Sequence, residues 1–165
     1  MAPFQLKSMP LSKSSQIVQD ALRERRVSIE VLELPTNTHT AQAAADVIGC
    51  DVKEIVKSLI FRGKESGAPV LILASGVNRV KENKIKECLG ENIERADPYF
   101  VRDITGFAIG GIPPLGHKQP LQTFIDKDLL GYDVVWAAGG TPNTIFAVEA
   151  QQLPALTGGT IIAIY

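Results

Sequence analysis

The stretch Ile55-Val56-Lys57-Ser58-Leu59-Ile60-Phe61-Arg62-Gly63-Lys64-Glu65-Ser66-Gly67-Ala68-Pro69-Val70-Leu71-Ile72-Leu73-Ala74 decides the fold. Two apolar runs, Ile55–Phe61 and Pro69–Ala74, are rich in β-branched residues and too short for core helices, so both read as strands. Gly63 to Gly67 between them makes a hairpin-like loop. In the first strand both faces are largely apolar, which places it centrally in a sheet. Lys57 breaks that pattern, flanked on its own face by Ile55 and Leu59. A lysine there must find a partner, give up its charge or face a wet cavity, unless the strand lies at an edge where the side chain snorkels to solvent.

Outward from this hairpin, Ser14–Arg26 has the spacing of an amphipathic helix and Ser28–Leu34 alternates as a strand. Thr40 is placed to cap a short helix, Ala41–Ile48, ended by Gly49. Lys81–Leu89 reads as a helix closed by Gly90, and Asp97 caps another whose first position is Pro98. Leu121–Ile125, Val134–Ala138, Thr144–Val148 and Thr160–Tyr165 read as strands, with a short helix at Ala150–Leu156. The order lacks regular βαβ alternation. It predicts an α+β domain with a mixed, mostly antiparallel sheet curled into a barrel-like core with surrounding helices. Residues 1–13 read as a tail and 14–165 as a single domain.

The composition is that of an ordinary globular chain: 165 residues, 45% hydrophobic and 21% charged. The start, MAPFQLKSMPLSK, lacks the apolar run of a signal peptide, and the glycines and prolines of Gly106–His117 exclude a membrane helix there. Cys50 and Cys88 stand far apart and match no CxxC pattern, as expected of a chain in a reducing cytoplasm. Two histidines, His39 and His117, and two dispersed cysteines offer no zinc cluster. Phosphate-loop, GxGxxG, GxSxG and HExxH motifs are absent, so neither metal nor nucleotide cofactor is expected. A net charge of −1 argues against bulk coating of nucleic acid. The balance is uneven: residues 1–95 hold 14 basic and 12 acidic side chains, residues 96–165 hold 3 and 6. The second part also carries nine of the fourteen glycines, which points to a site built on loops there.

Two such loops stand out. Gly106-Phe107-Ala108-Ile109-Gly110-Gly111-Ile112-Pro113-Pro114-Leu115-Gly116-His117 can present consecutive backbone amides to an anion or a developing oxyanion, or can simply connect a helix to a strand. His117 at its end either lines the site or sits on the surface. Ala138-Gly139-Gly140-Thr141-Pro142-Asn143-Thr144 is either a plain hairpin loop or a second pocket wall offering Thr141 and Asn143. The basic residues Arg79, Lys81, Lys84 and Lys86, like Arg23, Arg25 and Arg26, are a solvated face or a phosphate-contacting patch.

Taken together and in order, the Lys57 strand, Gly110-Gly111-Ile112-Pro113-Pro114 and Gly139-Gly140-Thr141-Pro142 resemble the YbaK/ProX family of free-standing aminoacyl-tRNA deacylases, similar to the editing domain inserted in bacterial prolyl-tRNA synthetases. Thr40-Ala41-Gln42-Ala43-Ala44, Ile125-Asp126 and Val135-Trp136-Ala137-Ala138-Gly139 agree, and the likeness runs from about Ser14 to Tyr165. It implies a cytoplasmic hydrolase that cleaves the ester joining a wrong amino acid to the terminal ribose of tRNA, without metal, a substrate ribose hydroxyl helping to activate the water. Lys57 is then the residue most tied to activity, and the Gly110–Pro114 loop contacts the ester through backbone groups. The expected site has Lys57, Gly110, Gly111 and Ile112 at the reacting ester. Thr40, Pro113, Pro114, His117, Gly139, Gly140, Thr141 and Asn143 are expected to bind substrate. Expected partners are mischarged tRNA and prolyl-tRNA synthetase or another synthetase. Gly140-Thr141-Pro142-Asn143 departs from the basic, serine-containing turn of the cysteinyl-specific relatives, so the amino acid edited is left open. A non-catalytic module binding tRNA or a synthetase is the alternative; a regulatory nucleic-acid-binding protein finds poor support in a pI of about 6.1.

Overall fold

The computed structural model describes residues 10–35, 38 and 40–165. The two central strands are β2 (Val56–Gly63) and β3 (Pro69–Ser75), an antiparallel hairpin in which Lys57 pairs with Ala74 and Leu59 with Ile72. Before them come α1 (Lys13–Glu24), β1 (Leu32–Glu33) and α2 (Ala41–Ile48). After them follow α3 (Glu82–Leu89), β4 (Ile93–Arg95), α4 (Pro98–Thr105), β5 (Gln122–Asp126), β6 (Val134–Ala138), β7 (Thr144–Glu149), α5 (Leu153–Thr157) and β8 (Thr160–Ile162). The expected caps are in place: Thr40 accepts from the Ala43 amide, Asp97 from the Phe100 amide, and Gly49, Gly90 and Gly106 close their helices in the left-handed region.

Two sheets form, one of five strands in the order β4-β2-β3-β5-β8 and one of three in the order β1-β7-β6. The pairs β3–β5 and β5–β8 are parallel and the other four are antiparallel, so the arrangement is mixed and mostly antiparallel. The expected curl into a barrel is corrected: neither sheet closes, and the two meet through one isolated parallel bridge, Ile55 to Trp136. β3 is buried on both faces. Leu71 and Leu73 join the core between the sheets with Val135, Phe146 and, from α1, Val18 and Leu22. Val70, Ile72 and Ala74 join Phe61, Phe124, Ile164 and Ile85 of α3 on the other side.

The predicted strand Ser28–Leu34 shrinks to Leu32–Glu33. Buried Gln19 explains this: its side-chain amide donates to the Ile29 carbonyl and its oxygen accepts from the Val31 amide, both at 2.9 Å, so α1 takes the groups a neighbouring strand would need. β4 was not expected; its three residues are too few to show a period, and it pairs only with Phe61–Gly63 at the far end of β2.

Candidate functional site

The short reach of β4 leaves the other end of β2 with an open edge. Gly63 donates to the Ala68 carbonyl and Gly76 to the Ile55 carbonyl. In an antiparallel ladder this parity turns the backbone groups of Lys57 and Leu59 toward β3, and those of Ser58 and Ile60 away from it. From the single bridge at Ile55 and Trp136, β2 and β6 flank a cleft of about 630 Å³. Its walls are the β2 edge, Trp136–Ala138 of β6, the start of α2, and the two glycine loops through Ile109, Gly110, Ile112, Thr141 and Pro142. Most of the lining is apolar, and among the described residues Lys57 is its sole charged side chain.

Lys57 is half-buried, and its Nζ donates to the Asn78 carbonyl at 2.6 Å. Its other two N–H groups have no acceptor among the described residues. Desolvation chiefly, and the guanidinium of Arg79 next, push the Lys57 ammonium below its ordinary value; the carboxylate of Asp126 acts the other way. Behind the lysine, Asn78 Nδ2 donates to Asp126 Oδ2 at 2.8 Å and to Asp128 Oδ2 at 2.9 Å. Asp126, wholly buried at the end of β5, also accepts from the amides of Ser75 and Asp128. Next to Lys57, Ser58 lines the cleft, and its buried Oγ has no hydrogen-bond partner among the described residues.

Of the expected site residues, Lys57, Thr40, Gly110, Ile112 and Thr141 line this cleft together. Gly111 does not. It is buried against the Thr141 backbone, and its N–H donates to the Ala108 carbonyl at 3.1 Å, which removes it from the set of free amides. Pro113 is buried behind the loop, with its carbonyl held by His117 Nε2 at 2.7 Å. Pro114 and His117 line a separate cavity of about 520 Å³ against α1, not the cleft that holds Lys57. A carbonyl only accepts, so Nε2 carries the proton, and burial holds His117 below its ordinary value. Gly139 and Gly140 pack against Val31 and Ser14, and Asn143 accepts from the Thr141 hydroxyl and donates to Glu33. These three brace the second loop, while Thr141 and Pro142 present it to the cleft. Of the arginines near the start, Arg25 is tied to the Leu156 and Ala21 carbonyls.

Sequence reasoning missed Ser58, Asn78 and Trp136 as parts of this region. Trp136 stood only as part of a stretch that agrees with the family, with nothing to place it at the site, and Asn78 lies in a turn whose partner Asp126 is 48 residues away.

The aminoacyl-tRNA editing domain family matches residues 35–156 of the chain. The uncharacterized protein YwhH of Bacillus subtilis (strain 168) is 31% identical over 124 residues, which cover 75% of this chain and 78% of that protein. The proline–tRNA ligase of Staphylococcus aureus (strain bovine RF122 / ET3-1) is 36% identical over 93 residues; the match covers 56% of this chain but only 16% of the ligase. A solved structure described as that of a proposed trans-editing enzyme for prolyl tRNA synthetase superposes with a TM-score of 0.89 at 47% identity, covering 94% of this chain and 98% of that one.

Proposed function

The chain belongs to the aminoacyl-tRNA editing domain family, and from that premise we propose that it is a free-standing deacylase that hydrolyses the ester of a mischarged tRNA in the cytoplasm. The observation that carries this reading is the cleft itself: an apolar recess with one cation, Lys57, whose two free N–H groups share it with the exposed Gly110 loop. Ester hydrolysis needs a placed water, donors for the oxyanion and a proton for the leaving ribose oxygen. The Gly110 and Ile112 amides, which have no acceptor among the described residues, are the oxyanion donors. At Gly110 a φ of +98° suits glycine alone and leaves the backbone bare toward the cleft. The Lys57 ammonium holds the negatively charged 3′ end of the tRNA so that the ester lies against those amides, and a substrate ribose hydroxyl helps to activate the water. Thr40 and Thr141, both lining the cleft, bind the aminoacyl group. A charged group in a mostly apolar recess acts with little competition from water, which makes this positioning effective.

Prolyl-tRNA synthetase, some of whose relatives share this domain's sequence, is the proposed synthetase partner. The test is single-turnover deacylation of a panel of mischarged tRNAs by the wild type and Lys57→Ala. The reading requires one or more ester substrates to be hydrolysed and Lys57→Ala to lose that activity while staying folded. A panel left intact by the folded wild type, with tRNA still bound, supports the non-catalytic binding module instead.

A further inference from the structure

We infer that Asn78 and Asp126 are positioning residues that fix where the Lys57 ammonium stands in the cleft. The inference rests on the proposed role of Lys57 and goes beyond it. A lysine on a strand carries a flexible four-carbon stem, and the strand alone does not say where its nitrogen will lie. Here the nitrogen is tethered by one bond, to the Asn78 carbonyl, and that carbonyl belongs to the loop between β3 and α3 rather than to the sheet. A loop carbonyl is a useful anchor only if the loop is held.

Asn78 is held from behind through both hydrogens of its amide, one on Asp126 and one on Asp128. Its backbone N–H closes a turn on the Ser75 carbonyl. Asp126 ties the start of the same turn through the Ser75 amide and orients Asp128 through the Asp128 amide. Asp128 is held in turn by the Tyr165 hydroxyl. A buried carboxylate that accepts three N–H donors is satisfied as an anion, and its fixed geometry passes through Asn78 to the lysine nitrogen. Asp126 has a second effect. Burial and Arg79 both act against the charged lysine, and Asp126 supports it, so the same residue helps to place the ammonium and to keep its proton.

The experiment follows single-turnover deacylation across pH for the wild type, Lys57→Ala, Asn78→Ala, Asp126→Asn and the double variant Lys57→Ala with Asn78→Ala. Binding of uncharged tRNA is read in parallel by fluorescence of Trp136, the chain's one tryptophan, which lines the cleft. Asn78→Ala should lose about tenfold to hundredfold in rate at saturating substrate, the effect of misplacing an oriented group, with little change in tRNA binding. In the Lys57→Ala background it should cost nothing further, because the group it positions is gone. Asp126→Asn should move the alkaline limb of the pH profile to lower pH, which a bracing role alone would not do. Asn78 is half-buried on a loop, so Asn78→Ala carries the test if Asp126→Asn fails to fold. Full activity of Asn78→Ala, or losses that add to those of Lys57→Ala, overturns the inference while leaving the role of Lys57 intact. An unmoved alkaline limb in folded Asp126→Asn also overturns it. Wild-type hydrolysis by Lys57→Ala overturns the reading beneath it, and the inference falls with that reading.

Discussion

Gly111→Ala is the sharpest probe of how the cleft is assembled. Gly111 needs no unusual dihedral; what it lacks is space. A methyl group there would lie 2.7–2.8 Å from the N, Cα and C atoms of Thr141. Ordinary carbon contacts are about 3.5–4.0 Å, so the two glycine loops must part by about 0.7 Å or more. The opposing atoms are backbone, and Thr141 cannot turn aside as a long side chain would. Its N–H is bonded to Thr144 Oγ1, and its hydroxyl to Asn143 and Thr144. Overpacking of this kind costs about 1–3 kcal/mol. For a chain of this length that lowers the melting temperature by about 2–12 °C, at 2–4 °C per kcal/mol. The displaced loop carries Gly110 and Ile112, so deacylation should fall further than stability does. Urea denaturation, with an unchanged slope and a lower midpoint, measures the first effect, and single-turnover hydrolysis below the melting range measures the second. Gly131→Ala is the control: like Gly111 it needs no unusual dihedral, but a methyl group there meets nothing within 4 Å, and it lies outside the cleft. A Gly111→Ala protein with wild-type midpoint and wild-type hydrolysis would refute the packing of one loop on the other.

Lys57→Met should abolish hydrolysis yet raise the melting temperature near neutral pH, because the desolvated ammonium is lost. Since the folded value lies below the ordinary 10.5, the wild type regains stability as pH rises through that interval, and the advantage of the variant should narrow there in parallel melting curves. His117 is held neutral and below its ordinary value of 6.5, so its contribution is full above 6.5 and lost as pH falls toward the folded value. His117→Gln should therefore lose less stability than the wild type over that acid interval, with deacylation retained because the side chain faces the other cavity. Ser58→Ala removes a buried hydroxyl that has no partner among the described residues, so its denaturation midpoint should stay level or rise; a fall of more than about 1 kcal/mol would mean that the hydroxyl has a partner in the free protein.

The elements legible in the sequence are those whose signals are local. The hairpin, α2 with its Thr40 cap, and α4 with Asp97 and Pro98 each declare themselves within a few residues of chain. Ser28–Val31 was misread because its alternation is real but its backbone is claimed by Gln19, a side chain on another element. The candidate site divided along the same line. Lys57 was visible as a charge in an apolar strand, and Gly110 and Ile112 as parts of a loop too rich in glycine for a simple connection. That Gly111 spends its amide on Ala108, and that the chain carries His117 away from Lys57, are facts of loop geometry that composition does not encode.

The open edge of β2 connects the fold to the chemistry. Unpaired strand edges invite association with other chains, and a closed barrel would remove this one. Here closure stops after a single bridge at Ile55 and Trp136, and β4 covers only the distant end of the strand. The gap is walled instead by α2 and the two glycine loops, so the edge is shielded from partners of strand length while a recess remains beside Lys57. Closing the sheets would have filled that recess with paired backbone. The expectation of a barrel and the expectation of a cleft around Lys57 were therefore in competition, and the cleft occupies the place where the barrel fails to close.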